Sequence, residues 1–257
     1  MTRIAAAVLL AAVISSFLSP NLGFDSSSLA TFLGFVIALV VILVTFELPG
    51  LLEHRRVTGE MGRLKVLPWA LVLAGIFVLI SRLAVLQPGY LWGVVLGVVL
   101  LRPHSEADEG REAAAGALWT LAVSVAAWLA LGWVRSSAGT DASFASSMLQ
   151  TALAAIVVSG LEAVAIGLLP FRFMPGVAVY RWNRPAWALL TGASMFGFIH
   201  ILIGPTSGYL SDLAAPAWLA ALGVFAAFGA FTILFWGWFR FRPSPATGGA
   251  GDQGSRS

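Results

Sequence analysis

The chain has no cysteine and only one lysine, Lys65. The first absence excludes disulfides, thiolate metal sites and cysteine nucleophiles, leaving oxygen and imidazole as the metal ligands on offer. Charge is also scarce: charged residues make up 11% of the chain and hydrophobic residues 59%. Twelve acids and fifteen bases cannot clothe a soluble domain of 257 residues, so the composition points to lipid as the solvent. No phosphate-binding loop, dinucleotide fingerprint or serine–histidine–acid arrangement is present, and no cofactor is expected. The bases lie in small clusters between apolar runs and form no long stripe, which suits an anionic membrane leaflet and argues against a nucleic-acid partner.

What is present is a succession of apolar stretches. Dividing the chain by the roughly 20 residues needed to cross a bilayer yields an all-α, polytopic transmembrane bundle of about eight helices. The spans run Ile4 to Ser19, Leu29 to Leu48, Leu67 to Leu86, Gly89 to Leu101, Ala113 to Val134, Ser147 to Leu169, Pro185 to Ile203 and Ala217 to Phe239. The first follows Arg3 like a signal-peptide core, but Phe17-Leu18-Ser19-Pro20 makes a poor cleavage site, so a retained helix is expected. The fourth is short and follows Gln87-Pro88-Gly89, so it is read as a tilted crossing, with a re-entrant arm as the alternative.

Thirteen of the fifteen bases fall in alternate inter-span segments; Arg82 and Arg135 are the exceptions. The positive-inside rule then places both termini in the cytoplasm, with the chain in the cell membrane. The transmembrane domain covers 1–242, its halves 1–101 and 113–242 joined by the polar loop 102–112, and the Gly/Ser/Pro-rich segment 243–257 reads as a disordered cytoplasmic tail.

Ionisable side chains inside spans are costly unless paired or facing water. Glu47, Arg82, Glu162 and His200 fall in that class. Glu47 reads as an interfacial acid before a helix end at Pro49-Gly50, and Arg82 as an arginine reaching for the outer surface. Glu162 lies roughly 11 Å and His200 roughly 22 Å from the cytoplasmic side, so upright helices keep them about 10 Å apart in depth. Shared metal is therefore not expected. Downstream of Glu162, Pro170 stops the sixth helix, Pro175-Gly176 sets a turn, and Asn183 caps the seventh helix with Pro185 in its first turn. Arg172, Arg181 and Arg184 gather at that mouth with Tyr180, Trp182 and Trp187 at headgroup level.

The run Ile166-Gly167-Leu168-Leu169-Pro170, followed by Phe171-Arg172-Phe173-Met174-Pro175-Gly176 and Tyr180-Arg181-Trp182-Asn183-Arg184, resembles the FGLLP motif-containing family of actinobacterial multi-pass membrane proteins. Ile166 replaces the leading Phe, and the likeness covers about residues 160 to 242. It implies location and architecture and carries no catalytic residue with it. More weakly, Phe196-Gly197-Phe198-Ile199-His200 resembles the middle element of CAAX-type intramembrane proteases, though Glu162 is single and no later histidine follows. The leading functional expectation is a non-enzymatic membrane component or partner subunit associating with another membrane protein. Helix association through Gly93 and Gly97 would suit it. Transport of a small solute or lipid through Glu162 comes next, and a protease-like enzyme last.

Overall fold

The computed structural model describes residues 2–19, 22–59, 63–66, 68–83, 96–99, 105–137, 143–171 and 174–203. Among them the fold is helical apart from two four-residue strands. The elements are α1 (Thr2–Ser16), α2 (Ser26–Thr58), β1 (Arg63–Val66), α3 (Pro68–Leu83), β2 (Leu96–Val99), α4 (Glu106–Ser137), α5 (Phe144–Gly167), α6 (Pro175–Trp182), α7 (Arg184–Gly197) and a closing π-helical turn (Phe198–Ile203). Among the described residues four helical segments are long and apolar enough to cross a membrane: Ser26–Arg56, Ala107–Ser137, Phe144–Gly167 and Arg184–Leu202. The expected eighth span, Ala217 to Phe239, and the tail lie outside the described residues.

The long helices begin where a side chain satisfies the orphan N–H groups of a first turn. Asp25 accepts from the Ser28 N–H at 2.8 Å to start α2, and Ser143 accepts from the Ser146 N–H at 3.2 Å to start α5. These acceptor bonds hold the exposed Asp25 carboxyl below its ordinary range, the Ser28 side chain contributing most. At its far end α2 stops at Gly59, whose φ of 76° is the left-handed geometry glycine adopts without penalty, and Gly59 N–H closes on the Arg55 carbonyl at 2.8 Å.

Three expectations need correction. Helix α2 does not end at Pro49-Gly50; Pro49 stands inside it, and Glu47 is half-buried more than two turns before the real end. Proline forfeits only one ladder bond, and packing along the rest of a 33-residue helix outweighs that loss. The segment 102–112 is not all loop, because α4 starts at Glu106. Ser105 accepts from the Asp108 N–H at 3.2 Å while its hydroxyl donates to the Asp108 carboxylate at 2.6 Å, a reciprocal cap that carries the helix back into the polar stretch. Residues 96–99, expected in a helical crossing, instead pair antiparallel with 63–66, Val66 opposite Leu96. Gly97 accordingly sits in a strand opposite Lys65 and not in the expected helix, and Gly93 lies outside the described residues. Val98 and Val99 are β-branched and suit a ladder.

Helix α5 is the centre of the bundle and packs against α2, α4 and α7, while α1 lies against α2 and α3. Close approach sets this geometry. A Cβ on Gly160 would overlap the Ser124 hydroxyl of α4 and press on Ile42 of α2, and one on Gly116 of α4 would run into the Phe46 carbonyl of α2. The mid-bundle core is small and aliphatic, built from Ala38, Ala127, Ala155, Ile156, Val157, Leu161 and Ala165 and closed by Phe198, Ile201 and Leu202. Helices in lipid gain little from hydrophobic burial against each other, so small side chains that let backbones meet supply the packing.

Candidate functional site

The motif region lies at one end of this bundle. Helix α5 finishes at Gly167, and the chain turns through Leu168, Leu169 and Pro170; the Leu169 carbonyl accepts from Phe171 N–H and the Phe171 carbonyl from Met174 N–H, both at 2.8 Å. The expected turn at Pro175-Gly176 is instead the first turn of α6, an eight-residue helix with Pro175 at its start, where proline's missing N–H costs no ladder bond. Gly176 and Val179 are buried against the end of α5, and a Cβ on Gly176 would overlap the backbone of Leu168. Trp187 of α7 donates its indole N–H to the Leu168 carbonyl at 2.8 Å, satisfying a carbonyl left open by the end of α5. The residues of the motif thus have physical work: Gly167 and Leu168 end the helix, Leu168 buries its side chain with Ala114, Ala117, Val164 and Val179, and Pro170 prevents continuation.

Between α6 and α7 the chain breaks at one residue. Asn183 is extended, its N–H reaches the Val179 carbonyl at 2.8 Å, and its side chain accepts from the Ala186 N–H at 2.9 Å, so it caps α7 as its sequence position indicates. Pro185 occupies the first turn. Arg181 and Arg184 are exposed on either side of this elbow. The Arg184 guanidinium lies 5.2 Å from the centre of the Tyr180 ring, and Tyr180 meets Trp187 edge-on at 5.2 Å. Arg172 lies outside the described residues; Arg82 is in the last turn of α3, its side chain likewise outside description.

Glu162 is 1% exposed, on α5 beside Leu161, five residues before the helix ends or about 8 Å inward. Leu161 meets Gly197 of α7, which puts His200 on the order of 6 Å further along the axis. The two residues differ in environment. Glu162 is in the core, whereas His200 is exposed in the π-helical turn and stacks on the exposed Phe196, ring centres 5.3 Å apart and planes 9° from parallel. Phe196 and His200, the pair that resembles a protease element, thus stand together on an outer face. Among the described residues no group of three His, Asp or Glu side chains is placed to hold a metal ion.

The extensions of α2 and α4 bring a further polar pair together. His54 on the extension of α2 is 1% exposed, and its Nδ1 lies 3.6 Å from a carboxylate oxygen of Glu112, in the polar stretch that α4 absorbs. Pro49 masked one partner's helix and the charge-rich composition of 102–112 masked the other's. The signal that could have found them is Ser105-x-x-Asp108, a capping pattern that begins α4 early. Next to this end lies a small crevice among Phe46, Ala113, Ala117, Ala163, Val164 and Pro175, wholly apolar in its lining and so without a group for acid–base chemistry. No model of a known family, no curated protein and no solved structure matches the chain.

Proposed function

We propose that the chain is a non-enzymatic, multi-pass component of the cell membrane that works as a partner subunit of another membrane protein, with both termini cytoplasmic and about eight segments in the bilayer. Membership of the FGLLP motif-containing family is part of this proposal. The apolar helices of spanning length support the membrane location. The observation that carries the partner is Trp119. It stands near the middle of α4 and is 58% exposed, flanked on the same face by exposed Leu118, Ala122, Ala126 and Leu129. Tryptophan exposed to lipid settles at the interfaces, where its N–H finds water or headgroups; about 9 Å beyond Ala113, where the charged first turns of α4 end, that N–H asks for an acceptor that hydrocarbon lacks. A helix of another protein laid on this face would supply it. Extraction in a mild detergent should yield a stoichiometric complex that Trp119→Ala dissociates while leaving the helix content unchanged. A monodisperse monomer from the wild-type protein under the same extraction would overturn the reading.

One observation favours a second reading, transport of a small solute. A carboxylate as buried as Glu162 inside a span costs several kcal/mol, on the order of 3, if it is kept charged, and such groups mark ion or proton pathways. Under that reading Glu162→Gln abolishes uptake or its pH dependence at normal expression, and unchanged uptake removes the role.

A further inference from the structure

The elbow between α6 and α7 holds a cation in a way that a merely basic loop does not. Leu168 carbonyl fixes the Trp187 indole at 2.8 Å, Trp187 meets the Tyr180 ring edge-on, and Tyr180 carries the Arg184 guanidinium on its face at 5.2 Å. An arginine stacked on an aromatic ring keeps the edge of its planar fork available and loses little further freedom when it meets a phosphate bidentately. Arg181, exposed in the last turn of α6, stands three residues before it. Acids at the same end are Glu53 of α2 and three of α4: Asp108, engaged by Arg111 at 3.7 Å and by the Ser105 hydroxyl at 2.6 Å, the exposed Glu109, and Glu112, which faces His54.

The depth is right for a headgroup. The candidate span Arg184–Leu202 is 19 residues long, which at helical rise is about 28 Å, close to the hydrocarbon thickness of a bilayer. Arg184 opens it and is therefore at the level of the lipid phosphates, with Trp187 one turn inside. We infer that Arg184 and Arg181 form a binding site for the phosphate of an anionic phospholipid, held ready by Tyr180 and Trp187. This inference rests on the membrane-embedded reading but not on the partner subunit, since the lipid site is on the α6–α7 elbow and the proposed partner face is on α4.

The test uses the full chain, stripped of lipid, in mixed micelles of phosphatidylglycerol or phosphatidylcholine, with retained lipids counted by native mass spectrometry. Wild-type protein should retain phosphatidylglycerol in preference to phosphatidylcholine, losing about fivefold in that preference for each arginine replaced, as in Arg181→Gln with Arg184→Gln. Arg184→Lys keeps the charge but loses the planar fork, so it should fall between the two, and it provides the reading if the double variant fails to fold. Equal retention of both lipids by the wild type, undiminished preference in folded variants, or displacement of the lipid by millimolar inorganic phosphate would each overturn the inference; the last would mark a site for soluble anions. Failure of membrane insertion itself is seen separately, by thiol labelling of the two ends of α4.

Discussion

The middle of the bundle and its motif-bearing end are held together by different forces. In the middle, α2, α4 and α5 meet through Gly116, Gly160 and alanines, where close backbone approach sets the fit. At the end, the contacts are directional: the Trp187 indole on the Leu168 carbonyl, the Asn183 cap, and His54 against Glu112. The difference follows from the solvent. Hydrocarbon gives no hydrophobic incentive for helices to associate, so van der Waals fit decides, whereas at the headgroup level broken helices expose backbone groups that must find partners. Glu162, set between these regimes, is the fully buried carboxylate among the described residues.

Substitutions that add volume should therefore hurt most in the middle. Gly160→Val places atoms where Ser124 and Ile42 already are, and a loss of about 3 kcal/mol is expected in unfolding from mixed micelles. A wild-type unfolding curve for that variant would refute the close-packed account of the centre. At the other end Trp187→Phe keeps an aromatic ring but removes the indole donor and some volume, so at least about 1 kcal/mol should be lost. Faster hydrogen exchange in that variant should be confined to residues near 168–176; exchange rising equally in the centre would erase the distinction between the two regions.

The smallest effect concerns a site away from both. Asp25, capping α2, has its folded carboxyl held below the ordinary range, so its contribution is complete above the unfolded value and is lost as the pH falls through the lowered folded one. Asp25→Asn retains an acceptor and should remove that acid dependence, to be measured as the slope of stability against pH below the ordinary aspartate range.

The sequence revealed the apolar spans most clearly where an apolar run of spanning length was unbroken, as in α5, and where capping residues marked a start, as Asn183 and Pro185 do for α7. It misled where a local rule met tertiary packing. Pro49 reads as a stop, yet α2 continues for nine residues, and this concealed His54. The acidic stretch before Glu112 reads as linker, yet Ser105 caps it into α4. Leu96 to Val99 is apolar enough for a short span, and only its pairing with 63–66 distinguishes a strand from a helix, since a run so short has no telling period. The grouping of Arg184 with Tyr180 and Trp187 was readable from their spacing, but the placement of the guanidinium over the Tyr180 ring was not, because it depends on α6 and α7 meeting at one extended residue.

The central claim, that α4 crosses the bilayer with its capped start in the cytoplasm, is tested most directly with the natural absence of cysteine. Ser105 and Ser137 are exposed at opposite ends of the helix, and a single cysteine at either can be probed with a membrane-impermeant thiol reagent. Ser105→Cys should react in inverted vesicles and resist in right-side-out cells, with Ser137→Cys doing the reverse. Reaction of both from the same side would contradict the account.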